Sequence, residues 1–104
     1  MNRVELIGNL GADPEVRLVG ETSQVATVSI ATDESYKNDA GEWVSNPEWV
    51  NLEGWGNVCE KMASMKKGQR VLVRGKLRTK SYEKDGQKKY RTVVNVQKIH
   101  KIEI

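Results

Sequence analysis

The 104-residue chain contains one cysteine, one histidine and no phenylalanine. A lone cysteine, Cys59, excludes an internal disulfide. Cys59 and His100 together supply two of the roughly four ligands that a Cys/His zinc site needs. No nucleophile elbow accompanies His100, and neither GxxxxGK[ST] nor GxGxxG occurs in the chain. The scarcity of ligand residues and the absence of these motifs predict a protein that has no metal or cofactor and is not an enzyme.

Long apolar stretches are also missing. No run approaches the roughly 20 residues that span a bilayer, and residues 1–6 do not begin a secretory signal. With 38% hydrophobic and 30% charged residues, the composition is typical of one globular domain covering residues 1–104. We therefore expect a cytoplasmic protein without membrane contact.

Charge, in contrast, is strongly concentrated in one segment. The net charge is +3, yet residues 66–91 contain eleven basic and two acidic residues, a local charge of +9. Residues 1–65 contain four basic and eleven acidic residues, a charge of −7. A segment of this kind is typical of proteins that bind a polyanion, although a solvated strand face would carry the same bias.

The hydrophobic pattern predicts strands along most of the chain. Strands are predicted at residues 2–8, 15–19, 24–35, 48–55, 69–81 and 89–96, with a tail after residue 96. Residues 37–47 are predicted to form a polar hairpin loop and residues 84–87 a hairpin turn.

One short helix is predicted over residues 57–67. Asn57 is its expected N-cap, and Val58, Met62 and Met65 form an apolar stripe at helical spacing. Three or four strands, one helix and two strands predict an all-β fold with one short helix. The best match is the oligonucleotide/oligosaccharide-binding (OB) fold, a five-stranded Greek-key barrel whose helix lies between strands 3 and 4. An open β-sandwich with one helix is the alternative.

Cations occupy alternate positions of the predicted strand 69–81. Because side chains alternate across a strand, one face carries Arg70, Arg74, Lys76, Arg78 and Lys80. Tyr82 continues this face. Gly75, on the other face, indicates a bend or bulge of the kind found at barrel corners.

Two tryptophans share one face of the predicted strand 48–55. Trp49 and Trp55 alternate with the apolar pair Val50 and Leu52, so both rings are expected to point outward, about 20 Å apart. Aromatic rings among cations are what sequence-tolerant single-strand binding uses, because bases stack on the rings. A subunit interface or a second small core is the alternative role for the tryptophans.

For two of the tyrosines, the strand pattern does not predict an outward side chain. Tyr90 alternates with Val94 and Val96, which predicts an inward side chain. Tyr36 falls on the same face as Val28 and Ile30, and would point outward only if a bulge or turn followed Asp33.

Five segments of the chain form an ordered series: NRVELIGNLGADPEVR at 2–17, ATDESY at 31–36, EW at 48–49, GQRV at 68–71 and GKLRT at 75–79. With this series the chain resembles bacterial-type single-stranded DNA-binding proteins (the SSB family) over nearly its whole length. The resemblance implies an OB-fold homotetramer that wraps single-stranded DNA without sequence preference in replication, recombination and repair. It also implies a cytoplasmic, nucleoid-associated protein.

The resemblance also implies particular site residues. The base-stacking positions correspond to Tyr36, Trp49, Trp55 and Tyr82. The backbone-contact positions lie near Arg3, Arg17, Lys37, Lys76, Arg78 and Lys80. Arg70 and Arg74 join the phosphate-binding set because they share the basic face of strand 69–81.

The chain departs from the family pattern in two ways. Val50 stands where relatives usually have a histidine at a subunit contact, so subunit packing is expected to differ. The chain ends at Ile104 without the Gly/Pro/Gln-rich linker and acidic tip of the family, so partners recruited through that tip are not predicted. The alternatives are a primosomal-type OB-fold dimer, a scaffold subunit whose tryptophan face binds protein, and an RNA-binding module.

Overall fold

The computed structural model describes residues 1–103, which form eight strands and one helix. The strands are β1 (Val4–Leu10), β2 (Glu15–Val19), β3 (Ser23–Asp33), β4 (Tyr36–Lys37), β5 (Trp43–Val44), β6 (Pro47–Trp55), β7 (Arg70–Lys84) and β8 (Gln87–Lys101). The helix, α1 (Asn57–Ala63), lies between β6 and β7.

Five of these strands close into a ring. Their order is β1-β7-β8-β6-β3, and β1 returns to β3 through the antiparallel pairing of Leu10 with Ile30. The one parallel contact in the ring sets Leu52 of β6 opposite Val94 of β8. β2 extends the sheet beside β3, and β4 pairs with β5 in a separate hairpin. The helix lies between the third and fourth ring strands in chain order, which confirms the predicted OB-fold rather than an open sandwich.

Helix α1 covers one end of the core. Met62 is buried among ring residues such as Ile30, and Val58 packs against the same cluster, as the apolar stripe predicts. The helix is shorter than the predicted 57–67, so Met65 is buried from the segment that follows it. The predicted cap is wrong: Gly56, at φ 60, occupies the N-cap position, no side chain caps the helix, and Asn57 is the first helical residue. The chain turns directly at Gly56 from β6 into the helix. No helix formed by residues 1–103 is long and apolar enough to cross a membrane.

β7 and β8 form a hairpin of two 15-residue strands that is longer than predicted. Its turn is the expected one, because Asp85 and Gly86 both have positive φ, 54 and 76, as a two-residue hairpin turn requires. The pairing shifts between Arg74, opposite Lys98, and Gly75, opposite Val96, so β8 has one extra residue at this bulge.

The bulge explains why the sequence pattern predicts a tail after residue 96, where β8 in fact continues. It reverses which residues of β8 face the core: Val94 and Val96 are buried before the bulge, and Ile99 is buried after it. A strict alternation therefore ends at Val96, although β8 continues to Lys101. Position 75 beside the bulge requires glycine, because a Cβ there would overlap the carbonyl oxygen of Asn95.

Candidate nucleic-acid interface

Both β6 tryptophans lie on the outer face of the ring. Trp49 is 58% exposed and Trp55 is half-buried, while Val50 packs against the core and Leu52 is buried. Val50, at the departure from the family pattern, thus faces the interior of its own chain. The outer face of β6 offers two aromatic surfaces on one strand.

The ring of Trp49 rests against the backbone of the loop after β1. Gly11 donates its N–H to the carbonyl of Ser29 at 2.9 Å, which fixes the loop beside β3. A Cβ at Gly11 would lie 2.5 Å from Cζ3 of Trp49, so this side of the ring has no room for a side chain. Gly11 therefore supports one side of the ring.

Gly11→Ala is expected to displace the Trp49 ring and to weaken binding of single-stranded oligonucleotides. The loss should not exceed that of removing the ring, about 1–3 kcal/mol. Gly11 does not have a positive φ, so the alanine backbone is unstrained and the fold should persist. Polarisation of a labelled oligonucleotide measures the affinity, and an unchanged affinity would show that the position of the ring does not matter.

The outward side chains of β6 contact those of neighbouring strands. The hydroxyl of Ser29 in β3 donates to Asn51 Oδ1 at 3.1 Å. Lys80 Nζ of β7 donates to Glu53 Oε1 at 2.5 Å, and it lies 5.8 Å from the centre of the Trp55 ring. We call this surface the aromatic–basic face: its residues are Arg17, Trp49, Asn51, Glu53, Trp55, Lys76, Arg78, Lys80, Tyr82 and Arg91.

A cavity of about 420 Å³ opens in the aromatic–basic face. Its lining is Glu15, Arg17, Thr27, Glu53, Lys80, Arg91 and Val93. Three cations against two carboxylates leave it net positive, as an anion-binding surface requires. Arg91 was not singled out by the sequence pattern, although it is the register partner of Lys80 across the hairpin. The available signal was that Lys89 and Arg91 alternate with Tyr90, Thr92 and Val94, which puts both cations on the outward face of the strand.

Tyr36 reaches the surface because a turn interrupts the chain after Asp33. Both the hydroxyl and the N–H of Ser35 donate to Asp33 Oδ1, which lowers the pKa of this carboxyl, with a smaller contribution from the charge of Arg70. Tyr36 then begins β4 and is 50% exposed. Lys37 follows it opposite Trp43 of β5. The turn thus provides the exception on which the outward position of Tyr36 depended.

The two tyrosines of the β7–β8 hairpin lie on opposite faces. Tyr82, which belongs to the aromatic–basic face, is 48% exposed and is paired with Lys89. Tyr90 is 67% exposed, with Lys88 Nζ 5.8 Å from its ring centre. The expected inward position of Tyr90 is wrong because the hairpin extends beyond the ring, where that face has no core to cover it.

The remaining predicted cations are distributed around the ring. Arg3 Nη2 lies 2.7 Å and Arg74 Nε 3.7 Å from Glu5 Oε1, so these two cations surround a carboxylate of β1. Arg70 begins β7 opposite Asn9. Lys76 and Arg78 are exposed on β7, opposite Asn95 and Val93. The structure therefore places Lys80 beside Trp55 and Arg17 in the same cavity as Lys80, with Lys76 and Arg78 exposed on the same strand as Lys80. Arg3, Lys37, Arg70 and Arg74 lie elsewhere.

Curated proteins similar to this chain come from different bacteria. "Single-stranded DNA-binding protein 1" of Xylella fastidiosa (strain 9a5c) is 36% identical over 97 residues, which cover 90% of this chain and 71% of the relative. The protein of the same name from Chlorobaculum tepidum is also 36% identical over 97 residues, covering 90% of this chain and 60% of the relative.

Solved structures share the fold. A Plasmodium falciparum SSB in complex with ssDNA superimposes with a TM-score of 0.86 at 26% identity, covering 99% of this chain and 96% of that one. A deletion mutant of the single-stranded DNA binding protein from Thermus aquaticus gives 0.84 at 28% identity, covering 99% of this chain and 51% of that one. The model of the single-strand binding protein family matches residues 1–102. The chain therefore belongs to the single-strand binding protein family.

Proposed function

We propose that this protein binds single-stranded DNA without sequence preference and protects it during replication, recombination and repair. The observation that carries the proposal is the aromatic–basic face, where two outward tryptophans on one strand lie beside cations of β2, β7 and β8. The relatives named single-stranded DNA-binding protein and the similar SSB solved with ssDNA support the same ligand. The proposed activity is binding alone, in the cytoplasm and at the nucleoid.

Two sets of side chains have separate roles in the proposed binding: one stacks on bases and the other neutralises phosphates. We assign stacking to Trp49, Trp55, Tyr82 and Tyr36, since every base has a face that can stack on a ring. Arg17, Lys76 and Arg78 are the phosphate ligands of the aromatic–basic face. Arg3, Lys37, Arg70 and Arg74 would contact a strand that continues around the ring. Lys80 is the one predicted phosphate ligand to which we do not assign this role, because its ammonium donates to Glu53.

Titration of intrinsic tryptophan fluorescence with oligo-dT tests the proposal. Strong, saturable quenching is expected, and a duplex of equal length should not reproduce it. Affinity should fall with salt at a log–log slope of about −0.7 per phosphate contact. Quenching by oligo-U of equal strength would favour the RNA-binding alternative. No quenching of the folded protein would overturn the proposal and favour a scaffold role for the tryptophans.

We further propose that the protein assembles as a homotetramer. β1 pairs with β7 from Val4 to Asn9, whereas its pairing with β3 covers Asn9 and Leu10. Within residues 1–103 the other edge of β1 from residue 4 to residue 8 is thus open, and open edges accept strands of other chains. Ile7 on this strand is 48% exposed.

The mass in solution distinguishes the two assemblies. From 11.7 kDa per chain, a tetramer has about 47 kDa and the primosomal-type dimer about 23 kDa. We expect sedimentation equilibrium without DNA to give the tetramer mass. A mass at the dimer value over a wide range of protein concentration would contradict it.

A further inference from the structure

A buried carboxylate lies in the middle of the aromatic–basic face. Glu53 is 4% exposed, although it stands on the outward row of β6 between the two tryptophans. Its Oε1 accepts from Lys80 Nζ at 2.5 Å, and its Oε2 has no hydrogen-bond partner among the residues that the structure describes. Neither stacking nor phosphate binding has a use for a carboxylate at this position.

We infer that Glu53 is a positioning residue that keeps Lys80 away from the DNA phosphates and holds its ammonium beside Trp55. This inference rests on the proposed binding of single-stranded DNA. It removes one of the predicted phosphate ligands and gives that lysine a different role.

Breaking the ion pair between Glu53 and Lys80 would cost the two side chains different amounts of free energy. The side chain of Lys80 is 40% exposed and would be hydrated by water if it left, whereas the side chain of Glu53 is 5% exposed. A carboxylate buried without its cation is strongly destabilised, and Oε2 already lacks a partner. The constraint therefore comes from Glu53, which keeps the ammonium of Lys80 on its own carboxylate when an anion approaches.

The surroundings of the pair disfavour a phosphate at Lys80. A phosphate in contact with Lys80 Nζ would come close to Glu53, and two anions at short range repel. Arg17 and Arg91 line the same cavity, and neither forms an ion pair with Glu53 within residues 1–103. These arginines are the cations of the cavity that no ion pair with Glu53 neutralises, so they are the groups left to contact an approaching phosphate. Glu53 thus lowers by one the number of lysines that contact DNA.

The number of phosphate contacts is measured by the salt dependence of affinity. Binding of labelled oligo-dT would be measured over a range of salt concentrations for the wild type, Glu53→Gln and the double variant Glu53→Gln/Lys80→Gln. Glutamine has the shape of glutamate without its charge, so Lys80 is released while the buried volume is kept. We expect the log–log slope of Glu53→Gln to be steeper by about 0.7, the value of one phosphate contact, and the slope of the double variant to return to that of the wild type.

Two further variants serve as controls. Glu15→Gln removes the same charge from the same cavity but releases no lysine, so its slope should equal that of the wild type. Arg78→Gln removes an exposed cation of β7 and should make the slope shallower by about 0.7, which calibrates the loss of one contact. Circular dichroism and thermal melting confirm that each variant is folded.

The outcomes separate this inference from the proposed function. If folded Glu53→Gln has the wild-type slope, or if Glu15→Gln steepens the slope equally, the positioning role is overturned while DNA binding stands. If the wild type does not bind oligo-dT at low salt, the proposed function itself fails.

Discussion

Trp49→Ala is expected to weaken binding of oligo-dT by about 1–3 kcal/mol, a loss of roughly 5- to 150-fold in affinity. The ring is 58% exposed and supported on one side by Gly11, so it presents its other side to a base without rearrangement. Trp55→Ala should cost a similar amount of affinity. Trp55 is half-buried, so its removal should also lower the melting temperature, whereas Trp49→Ala should leave it nearly unchanged.

The two losses should add in the double variant, because the rings lie about 20 Å apart and share no contact. Polarisation of a labelled oligonucleotide is the suitable measurement, since it does not depend on the tryptophans being removed. Tyr90→Ala is the matched control: it removes an aromatic ring that is 67% exposed, but from the other face of the β7–β8 hairpin. Wild-type affinity in folded Trp49→Ala and Trp55→Ala would contradict the stacking role.

Gly75→Ala is expected to have the largest effect on stability among the substitutions considered. A Cβ at this position would overlap the carbonyl oxygen of Asn95, which belongs to the backbone of β8 and cannot rotate away. Either β7 and β8 separate locally or the bulge moves. Overpacking of this kind costs about 1–3 kcal/mol and occasionally more.

Urea unfolding of the wild type and of Gly75→Ala would measure this cost. Lys76→Ala is the control. Lys76 follows Gly75 in β7 and its side chain is exposed, so the substitution should change the free energy of unfolding by less than about 0.5 kcal/mol. If Gly75→Ala is as stable as Lys76→Ala, the close approach of β7 and β8 does not restrict position 75 to glycine.

Alternation and turn chemistry were enough to predict most of the fold. The apolar positions of β3 and β6 face the core as their spacing indicates, and the Asp85–Gly86 turn follows from its residue types. The outward position of Trp49 and Trp55 follows from the same period of two. Each of these features depends on residues that are close in sequence, which is why the sequence alone reveals them.

Two local interruptions of the strand alternation made the orientation of later side chains hard to predict from the sequence. The bulge opposite Gly75 moves the core face of β8 by one residue, so Ile99 belongs to the core although it breaks the alternation of Val94 and Val96. The bonds from Ser35 to Asp33 end β3 and reset the orientation of Tyr36. A one-residue change inverts every later side chain of a strand, so small irregularities have large consequences for assignment.

The burial of Glu53 has a different cause and no signature in the sequence near it. Alternation correctly puts Glu53 on the outward row of β6, but Lys80 covers it from β7, 27 residues away. The interpretation of Lys80 as a free phosphate ligand depended on the basic face of its own strand and on the family resemblance, and neither shows a carboxylate on β6. Only the closed ring shows which cations have a carboxylate beside them.

The placement of both tryptophans on one hydrogen-bonded strand has a consequence for the length of DNA that the protein prefers. β6 pairs with β3 along its whole length, so the spacing of the rings is set by the strand and does not adapt to the ligand. Once one base stacks on Trp49, a second base on the same oligonucleotide meets Trp55 at a high effective concentration, provided the oligonucleotide is long enough to span the gap. Affinity should therefore rise abruptly at the length that first joins the two rings, because a rigid pair of rings acts as a bivalent receptor with a minimum ligand length.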